Sequence, residues 1–136
     1  LSLYCYEIRE NQQKRYSAQT ANNIADESAL PIWYDISFLI TAWDSTVLGE
    51  QILLSEVLRL LLPYQYLPEA MLAPALQGHG LLPIRVSTGE CIDTTAFWRA
   101  LAVPLRPALH VIVTIPFHLQ TADLAERGIL LTPTTT

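Results

Sequence analysis

Charge is what this sequence has least of. Only 15% of its 136 residues are Asp, Glu, Lys or Arg, against about 25% in an ordinary globular domain. A domain of this length would usually carry about 13 more charged groups. Mixed charge keeps protein surfaces apart in solution, so the shortfall asks for an explanation. Neutral polar residues such as Thr, Ser, Gln and Asn can carry a solvated surface, or other subunits can cover much of the outside. We favour the second, with the apolar fraction at 51%.

Basic residues are scarcer than acidic ones, eight against thirteen, which gives a net charge of -5 and a pI near 5.0. Only Lys14 and Arg15 adjoin. No stripe of cations tracks a phosphate backbone, and nucleic acid is excluded as a partner. No apolar run approaches the ~20 residues that cross a bilayer. The start also lacks the basic, apolar and small-residue order of a secretory signal. Cysteine is nearly absent. Cys5 and Cys91 lack metal-ligand spacing and are too few for a disulfide framework. Both read as packing thiols in a reducing cytoplasm. The five glycines are dispersed and form no phosphate-cradling loop.

What is present has the pattern of one α+β domain over residues 1–120, followed by a Thr- and Pro-rich tail over 121–136 that reads as a linker. Residues 1–9 form a strand pattern, and 11–30 a long polar loop. In the second strand, 31–43, the even positions Ile32, Tyr34, Ile36, Phe38, Ile40 and Ala42 are apolar, which assigns that face to the core. Asp44-Ser45-Thr46 caps a helix that Pro63 stops, with Leu53, Leu54, Val57, Leu58 and Leu61 inward and Glu56 and Arg59 outward. A short helix from Pro68 to Leu72, a strand through Leu82, Ile84 and Val86, and a helix from Asp93 to Ala102 follow. The last strand runs through Leu109–Phe117. Pro107 and Pro116 donate no ladder bonds, which places it near a sheet edge or ends it at Pro116. The expected architecture is a mainly antiparallel sheet of about four strands with helices on one face.

Residues with catalytic chemistry do not converge. No nucleophile elbow occurs, and neither cysteine has a nucleophile context. His110 and His118 share a strand face but stand ~26 Å apart, which excludes one metal between them. They read as polar strand residues at an edge. Asp35 reads as the cap of a neighbouring loop, or the partner of Arg9 or Arg85, rather than as an acid/base group. Trp33, Trp43 and Trp98 read as core or interface anchors. We therefore expect no catalytic residues, no metal, no cofactor and no enzymatic activity.

Three blocks carry a resemblance: Leu3–Asn11, Pro31–Trp43 and Phe97–Pro116. Together they resemble the cap, or tail terminator, proteins of extracellular contractile injection systems of the antifeeding-prophage and virulence-cassette type. The likeness extends from Leu1 to about His118. This chain departs from that pattern at Cys5, in its Thr-rich end, and at Ala102 where Gly is common, a change that bears on the turn before Val103-Pro104. Members usually carry a further helix and strand ahead of the position of Leu1.

The resemblance implies a phage tail-terminator-like fold and a six-fold ring at the apical end of the particle. Such a ring ends polymerisation of inner tube and sheath and bears force on contraction. It implies assembly in the cytoplasm as part of a tail-like particle. Expected interface residues are Tyr16, Trp43, Arg99, Arg106 and His110, with the Leu109–Phe117 strand as an edge that accepts another chain and the 11–30 loop reaching a neighbour. Two alternatives stay open. One is a small-ligand or regulatory binding module, with the aromatics lining a pocket. The other is a terminator of the tube alone.

Overall fold

The computed structural model describes residues 1–14, 31–87 and 93–117. The long loop beyond Lys14, Tyr16 and Cys91 within their segments, His118 and the tail lie outside the described residues. The fold is α+β. Four antiparallel strands, β1 (Ser2–Glu10), β2 (Ile32–Thr41), β3 (Ile84–Ser87) and β4 (Ala108–Phe117), stand in the order β1-β2-β4-β3. β2 and β4 pair over ten residues, from Ile32 opposite Phe117 to Thr41 opposite Ala108. The expectation that β4 lies at an edge is therefore corrected: it is an interior strand. Pro107 precedes it, and Pro116 stands past the end of β3, whose pairing stops at Val113, so neither proline costs a ladder bond between β3 and β4.

The register also reverses the expected orientation of β2. Trp33, Asp35, Ser37, Leu39 and Thr41 share a face with Pro116, Thr114, Ile112, His110 and Ala108. Seven of these ten residues are buried. On the opposite face, where Ile32, Tyr34, Ile36, Phe38 and Ile40 meet Phe117, Ile115, Val113, Val111 and Leu109, only Val111 is buried. The mixed face holds the core, and the wholly apolar face is half covered. Ile8, Tyr34, Ile36, Ile115 and Phe117 line an open apolar groove there, of about 310 Å³.

Helix α1 (Val47–Leu61) starts as its sequence dictates. Thr46 Oγ1 accepts from Gly49 N at 3.0 Å, and the Asp44 carboxylate accepts from Thr46 N and Oγ1 at 3.2 and 3.0 Å. Those bonds from Thr46 hold the Asp44 carboxyl below its ordinary value. A Cβ at position 49 would stand 1.8 Å from Asp44 Oδ2, so any other residue there would displace the Asp44 carboxylate. Leu54 is buried, Leu53, Val57, Leu58 and Leu61 are half-buried, and Glu56 pairs with Arg59 on the exposed side. The inward stripe is thus as its spacing predicts. α1 packs against β3 and β4.

The expected helix after Pro68 is a single 3-10 turn, Glu69–Met71, followed by another at Pro74–Leu76. Gly78 and Gly80 then turn the chain with φ near +81°. Asp93 caps α2 (Thr94–Ala100) by accepting from Thr95 N and Ala96 N. α2 ends two residues earlier than expected. Ala102 adopts φ +54°, a left-handed conformation that crowds a Cβ. Ala102→Gly is expected to raise unfolding stability by about 1 kcal/mol, read from urea denaturation, because glycine meets no such crowding.

Candidate assembly interface

Of the five residues expected at an interface, two are brought together. Arg106 lies just ahead of β4, and its Nη1 donates to Glu50 Oε1 of α1 at 2.5 Å. Its guanidinium carbon stacks 3.9 Å from the centroid of the Trp43 ring. Glu50 is buried, although its place in the first turn of α1 suggests only a dipole partner. Trp43 keeps 51% of its surface exposed. Arg106 is thus committed to an internal clasp, while the outer part of Trp43 remains available to a neighbour.

His110 is not at a sheet edge, which corrects the sequence reading. It sits on interior strand β4 opposite Leu39, facing Tyr6. The pairing of β1 with β2 shifts between Cys5 and Glu7, and Tyr6 occupies that irregularity. Its hydroxyl lies 3.2 Å from His110 Nδ1. In the neutral ring with the proton on Nε2, Tyr6 donates to Nδ1. Phe97 of α2 meets Tyr6 edge-on at 5.5 Å and Trp98 at 6.1 Å. Burial lowers the His110 pKa from its ordinary value. Arg99 is exposed on the last turn of α2, and Tyr16 lies outside the described residues.

Asp35 meets the loop that begins at Asn11. Asn11 Nδ2 approaches both carboxylate oxygens at 3.2 and 3.3 Å, and Thr114 Oγ1 donates to Oδ1 at 2.6 Å. Asn11 Oδ1 in turn accepts from Lys14 N, and the Lys14 ammonium sits 3.9 Å from the Trp33 ring centroid. Burial lowers the Lys14 pKa, partly offset by the Asp35 charge. The loop-capping role of Asp35 is therefore observed. Arg9 stands opposite it in register but pairs with Glu7 instead. Cys5 is exposed, so the packing role expected for it is corrected. Trp33 and Trp98 are buried core residues.

Among the described residues no group of His, Cys, Asp and Glu is placed to hold a metal ion. None of the described helices is long and apolar enough to cross a membrane. Large apolar side chains are the conspicuous feature of the surface: among the described residues eighteen are exposed, from Leu1 to Phe117, while eight apolar residues are fully buried. The sequence matches the Pvc16 N-terminal domain over residues 1–131. The chain belongs to that family. Its members are proteins of antifeeding-prophage and virulence-cassette injection systems, which makes this chain a component of a contractile, phage tail-like particle. No curated protein matches the sequence.

Two measurements check this geometry. Arg106→Met leaves the Glu50 carboxylate buried without its cation and is expected to cost about 3 kcal/mol by chemical denaturation. Adding Glu50→Leu should recover most of the loss, because the stranded charge is then gone. The second concerns pH. The folded His110 pKa lies below the ordinary value of 6.5, so the unfolded chain takes up the proton first. Stability is full above about pH 6.5 and falls as the pH drops below it. His110→Gln should flatten that part of the stability curve, measured as melting temperature against pH.

Proposed function

We propose that this protein is the cap of its injection particle: a ring of subunits at the apical end that stops growth of tube and sheath. The reading makes it a structural subunit without catalytic activity. The observation that carries it is the surface. On a chain with few charges, eighteen large apolar side chains among the described residues are exposed, along α1, across the open sheet face and through 62–81 as well as elsewhere. Obligate interfaces are depleted in charge at their centres and rich in such residues. Patches of this extent on a lone subunit invite association. Membership of the Pvc16 N-terminal domain family supplies the context.

Capping makes a specific physical demand. The last layer of a polymer presents the same unsatisfied surface as every layer below it. A terminator must cover that surface and present nothing equivalent above. Trp43, with its outer part exposed, and Arg99, exposed on α2, are suited to contact neighbours in the ring or the layer beneath. Arg106 and His110 act indirectly, by fixing the surfaces around them.

Size-exclusion chromatography with light scattering is expected to show a six-subunit ring. Particles made without this chain should vary in length and have open apical ends in negative-stain images. A chain that stays monomeric and ignores the particles, with particles of normal length and tips in its absence, would overturn the reading. Binding of a small ligand by that monomer would favour a regulatory module instead.

A further inference from the structure

The apolar face of the sheet has a part to which the described helices contribute nothing. Ile8 of β1, Tyr34 and Ile36 of β2, and Ile115 and Phe117 of β4 line the groove of about 310 Å³ there. None of the five is charged. The ring of Phe117 meets Tyr34 edge-on at 6.5 Å. Ile8 is 65% and Phe117 53% exposed. An apolar hollow gains free energy only when an apolar group fills it.

Two segments outside the described residues begin near this hollow, and they set out on different faces. Residues 15–30 follow Lys14, whose ammonium sits on the Trp33 ring, and Asn11, which bonds to Asp35. Trp33 and Asp35 alternate along β2 with Tyr34 and Ile36, so that segment starts on the face opposite the groove. Its large apolar residues, Tyr16, Ile24 and Leu30, stand singly, with Asp26 and Glu27 between the last two. Residues 118–131 instead follow Phe117, which is itself part of the groove wall. They finish in an uncharged run, Ile129, Leu130 and Leu131. The match to the Pvc16 N-terminal domain includes that run and stops directly after it, at 131. A domain is a unit that buries its own apolar residues.

We infer that 118–131 turns back over the sheet and seats the apolar run 129–131 in this groove. The chain's own segment is the occupant, and the domain closes at 131 rather than at the end of β4. The cap reading does not depend on this contact, because the exposed apolar residues of α1 and of 62–81 lie elsewhere.

Nuclear Overhauser measurements on the full, methyl-labelled chain test it. Contacts are expected from methyl groups of Ile129, Leu130 or Leu131 to ring protons of Tyr34 or Phe117. They should arise within one chain, so mixing two differently labelled preparations should produce none between chains. Ile129→Asp should lower the folding constant at least about tenfold in urea, because it sets a carboxylate against apolar surface. Ile8→Ala should lower it about threefold alone and by less in the presence of Ile129→Asp, which has already removed the contact. If Ile129→Asp fails to fold, the contacts in the unaltered chain decide. Absence of the contacts, or full stability of Ile129→Asp as on a solvated linker, overturns the inference. Contacts found only between differently labelled chains make a second copy the occupant and overturn it as well. So do contacts to the groove from Ile24 or Leu30 in place of 129–131.

Discussion

The ten-residue pairing of β2 with β4 decides where almost every other group goes. Side chains alternate across a strand, so this register sends Trp33, Asp35, Ser37, Leu39 and Thr41 to one side as a set. It places Thr114 directly opposite Asp35, close enough for their 2.6 Å hydrogen bond. It also sets His110 opposite Leu39, where the irregular turn of β1 brings Tyr6 over it. A slip of one residue would exchange the two faces wholesale and strand Asp35 without Asn11 or Thr114. Asp35, Thr114 and His110 on the core face therefore reinforce the register, because their partners are met in this alignment.

Much of this was legible in the residues because it is local. Thr46 and Asp93 cap their helices through short side chains reaching backbone amides two or three residues on, and such signals read directly from sequence. The stripe from Leu53 to Leu61 follows from helical spacing alone. What failed was non-local. Pro107 and Pro116 argued for an edge, but strand order decides how many neighbours each residue has, and β3 ends before it reaches Pro116. The purer apolar face of β2 looked like the core, yet the mixed face has the covering groups, including the ring of Tyr6, the rings of α2 and the Lys14 contact on Trp33.

The candidate interface shows the same division. Trp43 and Arg106 are 63 positions apart, and nothing in their spacing announces that one stacks on the other. Glu50 was visible as a first-turn acid, a role that needs no burial, so its pairing with Arg106 stayed hidden. The charge deficit, by contrast, was readable at once, and its structural counterpart is the extensive exposed apolar surface. Composition reports how much surface wants covering. Only topology reports which edge is open.

The Glu50–Arg106 contact also joins parts of the chain 56 residues apart. Between them lie most of α1, β3 and α2, and the ion pair adds to the packing of α1 on β4 in holding the two ends together. Because Glu50 is almost wholly withdrawn from water, dissolved ions screen the attraction far less than they screen Glu56 and Arg59 on the surface. A pull that separated α1 from the base of β4 would meet this clasp directly. Its grip should survive brine that loosens the molecule's outer charges.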